Sequence, residues 1–275
     1  MAPTTSQVGH WVGLLLIACS MHAAYADRLP GVATVVTEVY PTADVLPENT
    51  IRFYVYFSAP MREGDFLSYV HLYDEEGNDL KGVFFDNVYE LWDPTRQRLT
   101  ILFDPGRVKT GLYAHERMGR ALVPGRQYRL VLDSAWPDIH GRPLDSVFEK
   151  TFVATAEDKG PPDWRQWKIT APEAGTLASV SIDLGEPLDH ALLVSFLRIK
   201  NAEGVTIGGE ILLEDAETVW RLKPREKWQP GEYTLEIDAR VEDLAGNNLR
   251  GSFESGIDDI YPDALSIVSR SFTIN

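Results

Sequence analysis

An alternating run that ends in the same turn chemistry occurs twice in this sequence, and that repetition constrains the fold more than any other feature. At 233–239, Tyr233, Leu235, Ile237 and Ala239 alternate with Thr234, Glu236 and Asp238, the pattern of a half-buried β-strand. Asp243, Leu244, Ala245, Gly246 and Asn247 follow. Asp bonds its own backbone in a turn, while Gly and Asn tolerate positive φ. An earlier stretch carries Tyr128, Leu130 and Leu132, then Asp138 and Gly141. Asp138 and Asp243 are 105 residues apart, and so are Gly141 and Gly246. A chain of 275 residues repeating itself in this way is expected to hold two related β units, each long enough to bury a core. Gly246 is expected at positive φ, so that Gly246→Val weakens the second unit and spares the first.

Other punctuation recurs in the same order. A spacing of 127 residues links Pro60 to Pro187, Gly77 to Gly204 and Gly82 to Gly209. Pro124 and Gly125 precede Tyr128 as Pro230 and Gly231 precede Tyr233. Alternating or apolar runs at 50–57, 99–103, 128–132 and 148–153 in the first unit have counterparts at 180–184, 219–222, 233–239 and 269–274. Short strands, turn signals between them and no long helical period predict an all-β chain with an antiparallel β-sandwich in each unit. The units are expected at 27–156 and 165–275. Pro161 and Pro162 make 157–164 a stiff linker that holds the sandwiches at a limited range of angles.

Residues 1–26 contain no Asp, Glu, Lys or Arg, and the apolar run 11–18 is too short to span a bilayer. Together they read as a signal peptide. Ala24, Tyr25 and Ala26 before Asp27 offer an ordinary cleavage site. Leu16, Ile17, Ala18 and Cys19 offer a lipoprotein signal to 18, with Cys19 lipidated. A mature N terminus at Asp27 excludes the second. The protein is therefore expected to be exported, to the periplasm, cell envelope or outside, and to meet membrane only through a lipid anchor. Cys19 is the one cysteine, so no internal disulfide forms and packing alone holds the units.

The motifs resemble the bacterial Ig-like domains of the S-layer SbsA type. The residues that carry the resemblance are Pro41; Phe57, Ser58, Ala59, Pro60 and Met61; Pro124, Gly125 and Tyr128; and Asp243, Gly246, Asn247 and Leu249. They cover nearly all of 35–275. The resemblance implies two tandem Ig-like antiparallel β-sandwiches after an N-terminal signal segment, and an envelope or surface module rather than a reaction. The first unit departs with Arg142 and Pro143 after Gly141, and the second has Leu184 and Gly185 where the first has Phe57 and Ser58. The opening strands are also similar to those of copper-resistance periplasmic sandwiches, but no His lies between Asp27 and Val70 to serve as their copper ligand.

A net charge of −15 at pH 7 disfavours nucleic acid and anionic membranes. No spacing of His or Cys suits a metal, since His71, His115, His140 and His190 are scattered, and no cofactor is implied. The acidic stretch 74–79 reads as a solvated hairpin tip, with Ca²⁺ binding the alternative. Glu90, Asp93 and Asp104 are close in sequence as hydrolytic carboxylates are, but sit in turn and strand-stop contexts. Trp92, Trp136, Trp164, Trp167, Trp220 and Trp228 either fill cores and the seam between units or stack on sugars. No catalytic residue is assigned. The reading is a non-enzymatic binding, spacer or scaffold role, with a carbohydrate-active or carbohydrate-binding protein and a periplasmic metal-handling protein as alternatives.

The repeats differ most between two prolines. Pro105 and Pro124 are 19 residues apart, against 6 for Pro224 and Pro230. The inserted loop 106–123 carries Arg107, Lys109, Arg117 and Arg120 on an acidic chain, with Tyr113 and His115 among them. Long loops on rigid scaffolds commonly bind, and this one is a candidate site for an envelope protein or an acidic glycan. The alternative is a cover over the sandwich edge by Leu112, Tyr113 and Met118.

Overall fold

The computed structural model describes residues 33–109, 117, 119–253 and 266–275, and Ala33–Asn275 form one compact unit. The expected signal peptide at 1–26 with Cys19, and Leu112, Tyr113, His115 and Met118, lie outside the described residues. Period-two patterning does what the sequence suggests. The first half holds β1 (Val36–Tyr40), β2 (Val45–Pro47), β3 (Arg52–Phe57), β4 (Val70–Asp74), β5 (Leu91–Trp92), β6 (Arg98–Leu102), β7 (Gln127–Leu132) and β8 (Phe148–Thr155). They form two sheets, in the orders β1-β3-β6-β5 and β2-β8-β7-β4. Neighbours are antiparallel except β2 and β8, which run parallel.

The second half holds β9 (Lys168–Thr170), β10 (Val180–Asp183), β11 (Leu197–Asn201), β12 (Gly209–Glu214), β13 (Val219–Pro224), β14 (Gly231–Asp238) and β15 (Ile267–Ile274). Its sheets have the orders β12-β13-β10-β9 and β11-β14-β15. The fold is all-β and built of antiparallel sheets. Two separate cores result. One gathers Phe53, Val55, Leu72, Ile101, Leu130, Trp136 and Phe152, and the other Ile182, Leu197, Trp220, Leu222, Leu235 and Ile237. Trp136, Trp167, Trp220 and Trp228 are buried, so the tryptophans mostly fill cores.

Among the described residues, two short α-helices with defined bounds interrupt the strand pattern. α1 (Pro105–Val108) opens the insertion, with Pro at its first turn and the Asp104 carboxylate accepting from Gly106 N at 2.8 Å. α2 (His190–Phe196) is not foreshadowed by any helical period. It starts because Asp189 caps it, accepting from Leu192 N at 2.9 Å, and because Leu193 reaches the second core.

The segment 157–164, expected as a stiff linker, is bonded to residues of both halves. Asn49 exchanges two bonds with Asp158, donating to its carbonyl and accepting from its N–H, and Asn247 donates to the same carbonyl. Asp158 at the start of this connection is thereby fastened to both halves.

Candidate functional site

The polar residues that the fold buries gather where the two halves meet. β3 sends Arg52 and Tyr54 to that face. Opposite them stands Asp189, which is only 4% exposed. Its carboxylate accepts from the Tyr54 hydroxyl at 2.9 Å, lies 3.3 Å from Arg52 Nε, and still caps α2. Another nitrogen of Arg52 pairs with Glu242, just after β14. Burial raises the Tyr54 phenol above its ordinary range and the neighbouring Asp189 charge raises it further. Burial also lifts Glu242, against the pull of Arg52.

A second tie comes from the β12–β13 turn. Asp215, Ala216 and Glu217 adopt φ of 49°, 55° and 61°, three consecutive non-glycine residues in the left-handed region. Each such residue costs about 1 kcal/mol or more, so the conformation persists only where the surroundings enforce it. Here they do. Glu217 is 3% exposed and its carboxylate accepts from Thr42 N at 2.9 Å and Thr42 Oγ1 at 2.6 Å. Ala216, Leu244 and Phe253, all from the second half, pack against the core of the first. Beside them His190 stacks on Tyr40, with ring centres 3.4 Å apart. Burial, with Arg98 adding to it, lowers the His190 imidazole to about 4.

The repeated turn has diverged at this junction. In the first half the Asp138 carboxylate takes the His140 and Arg142 N–H groups and pairs with the Arg142 guanidinium at 2.7 Å. Burial alone pushes Asp138 up, but the Arg142 bonds outweigh it and hold the group below the usual range. In the second half Asn247 replaces that arginine. Asp243 accepts from Ala245 N, Asn247 N and Asn247 Nδ2 at 2.8–2.9 Å, with no cation beside it. Instead Asp158 and Glu186 bring carboxylate oxygens within 4.8 Å of it and of each other. These three are the described residues placed to share a proton or a cation. Asp158 and Glu186 border an open hollow of about 450 Å³, lined also by Lys168 and Asp183.

A pH dependence follows. Burial raises Glu186 to about 7, and Asp158 adds to it. Asp243 is likewise pushed up to about 7, by burial first, then by Asp158 against the opposing Asn247 bonds. Folded pKa values above the unfolded ones mean that folding favours the protonated forms. The contribution to stability is full below about pH 4 and is lost as pH rises through 7. Glu186→Gln is therefore expected to stabilise the protein at pH 8 by on the order of 1 kcal/mol, discounted because the group is partly exposed, and to change little at pH 4. His190 titrates in the opposite sense and cancels in the comparison of the two proteins. Urea denaturation at both pH values checks this; an equal displacement at both would refute the assignment.

The insertion residues have internal roles. Arg107 donates from its guanidinium to the carbonyls of Gly119 and Arg120, both at 3.1 Å. Arg120 is buried between Glu48 at 2.6 Å and Glu157 at 2.5 Å. Lys109 lies over the Phe253 ring, and Arg117 is exposed. Val108, Ala121 and Leu122 are buried in the first core. The described part of the insertion thus covers the fold, and two of its four cations face inward.

The other acidic candidates hold turns. Asp74 accepts from Glu76 N and Asn78 N; Glu90 accepts from Gly64 N, Phe66 N and Trp92 Nε1; Asp93 accepts from Gln97 N and Arg98 N. Sequence reasoning missed Asp189, Glu217, Glu186 and Asp158. The one available signal was the loss of the Arg142 equivalent at Asn247.

No family model matches the sequence, and no curated protein matches it. Among solved structures, domains 1–6 of the surface layer protein SbsC align over 75% of this chain and 24% of that one, with 13% identity and a TM-score of 0.31. Native α2-macroglobulin of E. coli aligns over 74% of this chain and 13% of that one, with 12% identity and a TM-score of 0.29. The N-terminal Ig1-2 module of the Drosophila receptor protein tyrosine phosphatase DLAR aligns over 77% and 93%, with 12% identity and a TM-score of 0.26. S-layer and Ig-domain structures are thus among the matches, at a level that carries no argument about function, and the chain spans about a quarter of the SbsC chain it matches.

Proposed function

We propose that the chain works as an exported, non-enzymatic module of the bacterial envelope, a stiff two-part binding or spacer element of tandem Ig-like domains. The observation that supports this most is the junction. Asp189, Glu217 and Tyr54 are buried, Arg52 is half-buried, and their polar atoms tie one half to the other. Buried polar groups at a catalytic centre face a cleft, whereas these face their partners. A spacer needs a defined angle between its parts, and a hydrogen-bonded, desolvated junction supplies one. Export and an envelope location rest on residues 1–26 and on the SbsA-type motifs. No helix among the described residues is long and apolar enough to cross a membrane.

Distance measurement between spin labels tests the stiffness. Labels at exposed Thr151 and Glu232, in a Cys19→Ser background, are expected to give one narrow distance distribution. Asp189→Ala is expected to broaden it. A broad distribution in the otherwise unaltered protein would rule out the spacer reading.

A further inference from the structure

The connection that follows β6 in the first half and β13 in the second differs in length between the halves. In the first half, the chain between β6 and β7 carries the insertion, which buries Val108, Ala121 and Leu122 in the core. In the second half, the matching connection from Pro224 to Pro230 is shorter and buries one side chain, Trp228, in the second core. A groove of about 510 Å³ lies between β11 and β12. Both are terminal strands of their sheets, each paired along one side by a single named strand.

The groove is apolar inside and basic at its rim. Ile199, Ile207, Ile211, Trp220 and Leu222 line it. Trp220 is fully buried, yet its indole N–H has no acceptor. The two charged residues of the lining, Arg198 and Arg225, are both cations in a chain of net charge −15. Neither has a carboxylate partner among the described residues.

The first half carries a segment of the opposite kind. Val88 and Tyr89 are 89% and 76% exposed, the highest values among the described large hydrophobic residues. Exposed Phe85 and Leu91 flank them, and Asp86 beside them is exposed. The base of this loop is fixed, because Glu90 accepts from Gly64 N, Phe66 N and Trp92 Nε1. Val88 and Tyr89 thus form an apolar tip on a held base, with a negative charge beside it.

We propose that the groove between β11 and β12 receives the Val88–Tyr89 tip of a second copy of this chain. Tip and groove lie on different halves, so the contact is heterologous and joins copies head to tail, extending with concentration rather than closing as a symmetric dimer. The proposal does not depend on where the protein resides.

Sedimentation velocity of the purified full-length protein tests it. The weight-average mass is expected to rise between roughly 1 and 200 µM, the range of weak specific contacts. A tip variant, Val88→Asp with Tyr89→Ser, and a groove variant, Arg225→Glu with Ile207→Asp, are each expected to stay monomeric to roughly 200 µM. Circular dichroism melts confirm that both are folded, and Arg225→Glu alone, on an exposed side chain, serves if the double groove variant is not. The discriminating sample is the equimolar mixture. Each variant keeps one intact surface, so the mixture is expected to give 1:1 pairs and nothing larger. A wild type that stays monomeric, a single variant that still grows, or a mixture that forms no pairs would each overturn the proposal.

Discussion

Asp189→Ala is expected to lower folding stability by about 3–5 kcal/mol, the loss that follows when one partner of a buried charged pair is removed. The truncation takes away three things at once. Arg52 loses the carboxylate beside its Nε, the Tyr54 hydroxyl loses its acceptor, and α2 loses its cap. Glu242 still pairs with Arg52, so the guanidinium is not wholly stranded. Asp189→Asn keeps the cap and one acceptor and is expected to cost about half as much. Tyr54→Phe combined with Asp189→Ala is expected to be less damaging than the sum of the two, because the hydroxyl has no acceptor left to lose. Chemical denaturation measures all of these. A loss under about 1 kcal/mol for Asp189→Ala would mean that water replaces the carboxylate, and that the junction is not dry.

Gly246→Val has the second largest expected effect, about 2–4 kcal/mol. Gly246 has φ of 83°, where a β-branched residue is strained by about 1 kcal/mol or more. A Cβ there would also lie 2.8 Å from Ile51 Cδ1 and 3.1 Å from Phe253 Cδ2. Overpacking of that kind adds about 1–3 kcal/mol. Gly141, its repeat partner, has φ of 75° but nothing within 4 Å of the added atom, so Gly141→Val is expected to cost the strain alone. The difference between the two variants reads the junction directly. Ile51 belongs to the first half, which revises the sequence-based expectation that this substitution spares it. Both halves are expected to lose stability together, and calorimetry showing only the second half displaced would contradict the docking of the turn on Ile51.

Much of the fold was legible because its causes are local. Tyr128, Leu130 and Leu132 alternate with polar residues and face the first core, and Tyr233, Leu235 and Ile237 do the same in the second. Turn positions with positive φ were visible as Gly141 and Gly246. α2 was not legible, because seven residues are too few to show a helical period, and its start depends on what Asp189 does with the rest of its carboxylate. The insertion was visible as a length difference, but its cations could be read only as exposed charge. Folding turns Arg107 and Arg120 inward onto carbonyls and carboxylates that lie elsewhere in the chain.

The sequence by itself determined the all-β class, the repeat and its turns, since alternation and glycine placement act over a few residues. The tertiary structure alone decided how the halves meet. Tyr54 and Asp189 are 135 residues apart and Thr42 and Glu217 are 175 apart. No local pattern marks such partners, because an Asp in a turn looks the same in sequence whether it faces water or a buried tyrosine. Only the packing of four sheets removes the water, and removing it converts ordinary polar residues into the ties that set the angle between the two halves.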